Sequence, residues 1–207
     1  MEDPAEYSLR RWHALDVLAL AHLMLLVDTV VVSLALAPVQ RDLHFSAGGL
    51  AWVVNGYALP FGGLLLLGGR LADLLGRRRM SVVGLVLFAS ASAGCGAATN
   101  AAMLVAARFA QGVGAAAAAP AALSLVTVLF TEAGDRQRAM KMWSALRGVG
   151  NVIGMLLGGV LVTFLDWRWV FFINLPIAAA ALTLTPRLVP RIERAPWRRP
   201  DPPGHCW

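Results

Sequence analysis

Read for runs of apolar residues, the chain resolves into six stretches near residues 14–37, 49–69, 80–98, 103–130, 140–163 and 169–188, separated by short polar segments. Each run has roughly the 20 mostly apolar residues that an α-helix needs to cross the hydrocarbon core of a bilayer. The separators are Gln40–His44, Arg70–Arg79, Thr99–Asn100, Thr131–Arg138 and Asp166–Arg168. None of them has room for a soluble domain. The pattern therefore predicts an all-α membrane protein with six transmembrane helices. Residues 1–13 precede the first span, 14–188 form a six-helix bundle, and 189–207 form a Pro/Arg-rich tail. Six of the eleven prolines fall from Pro186 onward, a composition that does not continue a helix and predicts a disordered cytoplasmic segment.

The first run also resembles a secretory signal, with Arg10 and Arg11 ahead of an apolar stretch that ends Ala35-Leu36-Ala37. It is longer than a signal core, and Asp28 within it suits a helix bundle better than a cleaved leader.

Composition agrees with the pattern: 58% of residues are hydrophobic and 14% charged, with a mean hydropathy of +0.65. A soluble domain carries about a quarter charged residues. The net charge of +6 would by itself suit a nucleic-acid partner, but its distribution points elsewhere. With the amino terminus inside, fourteen of the 18 basic residues lie on one side: Arg10, Arg11, Arg70, Arg77, Arg78, Arg79, Arg136, Arg138, Lys141, Arg187, Arg191, Arg194, Arg198 and Arg199. Only Arg41 and Arg168 lie opposite, while Arg108 and Arg147 fall within spans. This is the positive-inside bias, which predicts a multi-pass protein of the cytoplasmic membrane with both termini cytoplasmic and no nucleic-acid partner.

Ionisable residues inside a bilayer are costly, at least ~2.5 kcal/mol at its centre, and they usually face a partner or a water-filled cavity. Asp28 and Arg108 are the two candidates. A carboxylate in such a place can load and release a proton, or it can form an internal ion pair that only orients helices. Gln111 and Gly112 follow Arg108 at i+3 and i+4, on one helix face. Arg147 lies close enough to the end of its span to snorkel to the interface. Trp52 reads as an interfacial anchor, and Asn55 as either anchor or cavity lining. Gly150, Gly154 and Gly158 make an i, i+4 ladder suited to close helix packing. Cys95 and Cys206 have no metal-ligand spacing, and His22 has no second histidine, serine or cysteine at a useful interval. No catalytic constellation, metal site or cofactor is expected.

Several stretches, in order along the chain, resemble the major facilitator superfamily, and within it the fourteen-span drug:proton antiporters. Gly69-Arg70-Leu71-Ala72-Asp73-Leu74-Leu75-Gly76-Arg77-Arg78 is similar to the loop pattern G-x-L-A-D-R-x-G-R-[KR], with Leu74 in place of an arginine. The first-span stretch from Asp28 to Ala37 resembles D-x-T-V-V-N-V-A-L-P, departing at Val30, Ser33 and Ala37. Arg108-Phe109-Ala110-Gln111-Gly112-Val113-Gly114 matches R-x-x-Q-G-x-G throughout. Gly154-Met155-Leu156-Leu157-Gly158-Gly159 resembles the antiporter motif G-P-x-x-G-G, with Met155 where that motif has proline. Trp167 to Pro176 is typical of the branch as it enters its sixth span. The resemblance implies the amino-terminal bundle of a transporter that exports small amphiphilic molecules or drugs by antiport with protons, and not an enzyme. It implies proton coupling at Asp28 and Arg108, and a substrate cavity or proton route with Asn55 and Gln111. It further implies a conformational loop at Gly69, Asp73, Gly76, Arg77 and Arg78, and an antiporter helix at Gly154, Gly158 and Gly159. Transporters of this kind are two six-helix bundles around a central site. The chain is thus expected to be a truncated half, working with a missing second half or a second copy, or else a non-transporting membrane fragment.

Overall fold

A computed structural model of the chain describes residues 4–189; the tail expected at 189–207 lies, beyond Val189, outside them. Among the described residues seven helices follow in order: α1 (Pro4–Asp42), α2 (Ala47–Leu75), α3 (Arg77–Gly96), α4 (Ala101–Leu129), α5 (Ala133–Phe164), α6 (Trp169–Phe172) and α7 (Asn174–Leu188). The last two make one span, so six apolar helices are long enough to cross a bilayer, as the hydropathy pattern predicts. The helices overrun the apolar runs. At 1.5 Å per residue a 20-residue span is about 30 Å long, and α1, with 39 residues, begins well before residue 14.

Helix starts follow from local chemistry. Ser46 accepts the Gly49 N–H at the head of α2 and Asn100 accepts the Met103 N–H at the head of α4, each satisfying a donor the helix leaves free. Between α2 and α3 the chain turns on a single residue, Gly76, whose φ of +101° is a conformation that side chains disfavour. The sixth span is interrupted at Ile173, which keeps helical angles. Pro176 has no N–H to offer the Phe172 carbonyl four residues back, so the ladder cannot run through.

Packing divides the bundle into layers. Helix α4 sits against α2 and α3, α1 sits against α5, and α7 closes the bundle between α1 and α3. One end is sealed by Val39, Phe45, Ala98, Trp167 and Phe171. The other is sealed by Leu15, Phe130, Trp143 and Val189, and the middle by Met24, Tyr57, Phe88 and Ala115. The glycine ladder of α5 lets α1 approach: a Cβ on Gly154 would lie 2.8 Å from Cβ of Val30, and one on Gly158 would lie 2.7 Å from Cδ1 of Leu34. Gly159 has open space where its Cβ would be.

The two ends differ in charge. Arg11 pairs with Asp135 at 2.8 Å, tying the start of α1 to the start of α5. Arg78 donates to the Pro186 carbonyl at 2.9 Å, joining the α2–α3 turn to the end of α7. The arginine-rich segments thus share one end. At the opposite end, Arg168 pairs with Asp42 at 3.0 Å and the Trp167 indole donates to the same carboxylate at 3.1 Å.

Candidate functional site

In the middle of the bundle, three helices and the break of the sixth span deliver polar side chains to one point. Asp28 comes from α1, Ser92 and Cys95 from α3, Arg108 and Gln111 from α4, and Asn174 from the first turn of α7. All are buried, with Asp28, Arg108 and Asn174 each 1% exposed. Such a cluster stands in an apolar interior only because its members satisfy one another.

The centre is an ion pair. Arg108 Nη1 donates to Asp28 Oδ2 at 2.7 Å and to Gln111 Oε1 at 2.8 Å, while Nε donates to the Val53 carbonyl of α2 at 3.1 Å. Its guanidinium also lies 4.5 Å from the centre of the Tyr57 ring, a favourable cation–π contact. The other carboxylate oxygen, Oδ1, accepts from Gln111 Nε2 at 2.9 Å and from Asn174 Nδ2 at 2.7 Å. Ser92 Oγ accepts from both of those amides, at 3.2 and 3.0 Å, and donates to the Phe171 carbonyl at 3.0 Å. The Cys95 thiol reaches Gln111 Oε1 at 3.6 Å.

The two charges cancel, which removes the largest cost of placing them in lipid-enclosed space. The arrangement is also asymmetric. Without the Asp28 charge, Arg108 keeps the Val53 carbonyl, the Gln111 oxygen and the Tyr57 face as partners. Neutralising the acid therefore does not strand the base.

Beside the pair lies a cleft of about 220 Å³ lined by His22, Leu25, Thr29, Tyr57, Phe61 and Arg108, among others. Mostly apolar walls with a few polar groups are the usual make-up of a small-molecule site.

Of the residues the sequence singles out, Asp28, Arg108 and Gln111 come together here. Gly112 acts as the expected notch, where a Cβ would lie 2.4 Å from the Tyr57 carbonyl oxygen. Asn55 does not join them: it is exposed on the surface of α2. In the loop motif, Gly76 makes the turn, Asp73 Oδ1 accepts from Arg77 Nε and Nη2 at 3.1 and 3.0 Å, and Gly69 lies inside α2, with Pro120 nearest. Of the antiporter-helix glycines, Gly154 and Gly158 pack on α1, while Gly159 and Met155 lie on the exposed face of α5.

Ser92 and Asn174 are absent from the sequence reading. Helical phase marks Ser92, which shares a stripe with Leu85, Phe88 and Cys95 at i, i+3 and i+4 steps, whereas Ser90 next to it is off the stripe and donates to its own helix at the Leu87 carbonyl. Asn174 lies in the quoted Trp167–Pro176 motif, but only the fold brings it against Asp28.

Comparison with known proteins agrees with this architecture. The family model described as "Major Facilitator Superfamily" matches residues 18–204. The chain is 50% identical over 185 residues to puromycin resistance protein pur8 of Streptomyces alboniger, a match covering 89% of this chain and 37% of that protein. It is 45% identical over 186 residues to cephamycin export protein CmcT of Amycolatopsis lactamdurans, covering 90% and 38%. The chain thus spans well under half the length of these relatives. Among solved structures, the inward-open xylose transporter XylE from E. coli superposes with a TM-score of 0.76 at 19% identity, covering 87% of this chain and 48% of that one. A bacterial homolog of the human lysosomal transporter Spinster gives 0.73 at 22% identity, covering 96% and 48%. With the family model covering most of its length, the chain belongs to the Major Facilitator Superfamily.

Proposed function

We propose that the chain is the amino-terminal half of a proton-driven exporter of small amphiphilic molecules, antibiotics among them. On this reading it lies in the cytoplasmic membrane with its arginine-rich end inside, and a second six-helix bundle completes the central site. The observation that carries the reading is the fully buried Asp28–Arg108 pair beside an apolar cleft. Asp28 takes the proton. Arg108 and Gln111 hold the carboxylate when it is charged, and Arg108 turns to its remaining partners when it is neutral. Substrate occupies the cleft against Tyr57 and Phe61, so that proton and substrate share one guanidinium and compete for it. The names of the relatives, puromycin resistance and cephamycin export, support the substrate class.

Vesicles with an imposed pH gradient test this, using the chain alone and co-expressed with the carboxy-terminal half of a relative. Efflux of an amphiphilic dye or antibiotic that follows the gradient and is abolished by Asp28→Asn is the expected result. Gradient-independent efflux, or efflux that survives Asp28→Asn, rules out coupling at this carboxylate. No transport in either preparation identifies the chain as a non-transporting membrane fragment.

A further inference from the structure

Every hydrogen-bonding neighbour of Asp28 is a donor. Oδ2 receives an N–H from Arg108, and Oδ1 receives one each from Gln111 and Asn174. Because a carboxylate only accepts, the Asn174 amide must present its NH2 group to it. That same NH2 also reaches Ser92 Oγ at 3.0 Å, so the serine's own hydrogen points the other way, to the Phe171 carbonyl at 3.0 Å. Phe171 lies two residues before the interruption at Ile173. The donors therefore run in one direction, from Asn174 to Asp28 and to Ser92, and from Ser92 to the break in the sixth span.

A neutral acid reverses one link of this chain. Its O–H on Oδ1 needs an acceptor, and the two amides there both present N–H. Gln111 is not free to turn, since its Oε1 already accepts from Arg108 at 2.8 Å and faces the Cys95 thiol at 3.6 Å. A half-turn of the Asn174 amide places its oxygen, with two lone pairs, toward both Asp28 and Ser92. The acid then donates to Asn174, Ser92 also donates to Asn174, and the Phe171 carbonyl loses its side-chain donor.

We propose that Asn174 is a positioning residue that converts protonation of Asp28 into release of the sixth span: its amide reverses, Ser92 swings from Phe171 to Asn174, and α6 and α7 become free to re-angle about Ile173. This rests on the reading of Asp28 as the proton site. The titratable and charged groups around Asp28 are few. Arg108 faces it from α4, Tyr57 lies beneath that guanidinium on α2, and Cys95 comes from α3. Helix α5 meets this part of α1 with Gly154, against Val27 and Val30, and His22 lies six residues back along α1, stacked on Trp143. Beside Asp28 the sixth span contributes an amide and no ionisable group, its Arg187 lying in the last turn of α7, which suits it to follow the proton without competing for it.

Amide hydrogen exchange across residues 170–178, measured on the 207-residue chain in lipid nanodiscs and corrected for the intrinsic effect of pH, tests the relay. In the wild type, exchange there rises about fivefold from mildly alkaline to mildly acidic pH, the effect of losing one hydrogen bond. Asp28→Asn, whose amide offers an N–H where the acid offers an O–H, exchanges fast at both pH values, and so does Ser92→Ala. Asn174→Leu exchanges slowly at both, because Ser92 stays on Phe171. If that variant does not elute as a single species, Asn174→Ala replaces it with the same expectation. A merely structural role predicts instead that the Asn174 and Ser92 variants loosen the segment alike at every pH, and that result overturns the proposal. A pH response in α1 and α4 that Asp28→Asn abolishes, with none in residues 170–178, also overturns the relay while leaving the proton site intact. The absence of any pH response overturns both.

Discussion

Removal of Arg108 strips the buried cluster of its one cation. Arg108→Met keeps an unbranched stem in place but deletes the donors to Asp28, Gln111 and the Val53 carbonyl. The Asp28 side chain, wholly buried, is left as a charge with two amide donors and no counter-ion. Breaking a buried pair in this way costs about 3–5 kcal/mol. Asp28→Asn is milder, about 1–3 kcal/mol, because Arg108 keeps its other partners. The double variant holds no buried charge and falls near the milder single one, so the two changes couple by about 3–5 kcal/mol. At about 2–4 °C per kcal/mol for a chain of this length, Arg108→Met melts about 6–20 °C below wild type, and adding Asp28→Asn restores at least half of the loss. The assay is thermal unfolding of the purified chain in detergent, followed by tryptophan fluorescence. A double variant as unstable as the sum of the two singles would refute the reasoning, since it would mean that the two side chains do not meet.

Further expectations follow from packing and from the ends of the bundle. Gly154→Leu places its side chain into Val30 and lowers the melting midpoint by overpacking worth about 1–3 kcal/mol, whereas Gly159→Leu, facing open space, leaves the midpoint unchanged in the same scan. Gly76→Ala forces a Cβ into a positive-φ turn and destabilises by about 1–3 kcal/mol, read from the same midpoint. Arg168→Ala removes an end pair that is 31% and 46% exposed on its two sides and costs at most about 1 kcal/mol. Added salt should shrink that difference while leaving the Arg108→Met effect in place.

How much was legible in the sequence depends on which physical constraint wrote each feature. Lipid demands long apolar helices, so all six spans can be found from hydropathy. Their ends cannot: Pro4 to Trp12 and Ala133 to Ala139 are helical beyond the apolar runs, held by packing and by Arg11–Asp135. A charge in an apolar run is conspicuous, which is why Asp28 and Arg108 stand out. A serine or asparagine is not conspicuous, because its meaning depends on helical phase and on which helix lies opposite. Ser92 had a phase signal, while Asn174 had none apart from its motif. Asn55 shows the converse, a polar residue inside a span that the fold turns outward. No sequence signal marks the interruption at Ile173, because Pro176 reads equally well as an ordinary first-turn proline.

Coupling at this site requires Asp28 to take up a proton while it sits inside the bundle. Difference infrared spectroscopy of the reconstituted chain, stepped from mildly alkaline to mildly acidic pH, reads this directly from the C=O stretch of a neutral carboxylic acid. The account predicts a reversible band in the wild type that is missing in Asp28→Asn and retained in Asp42→Asn. A spectrum in which the two variants and the wild type titrate identically would contradict it.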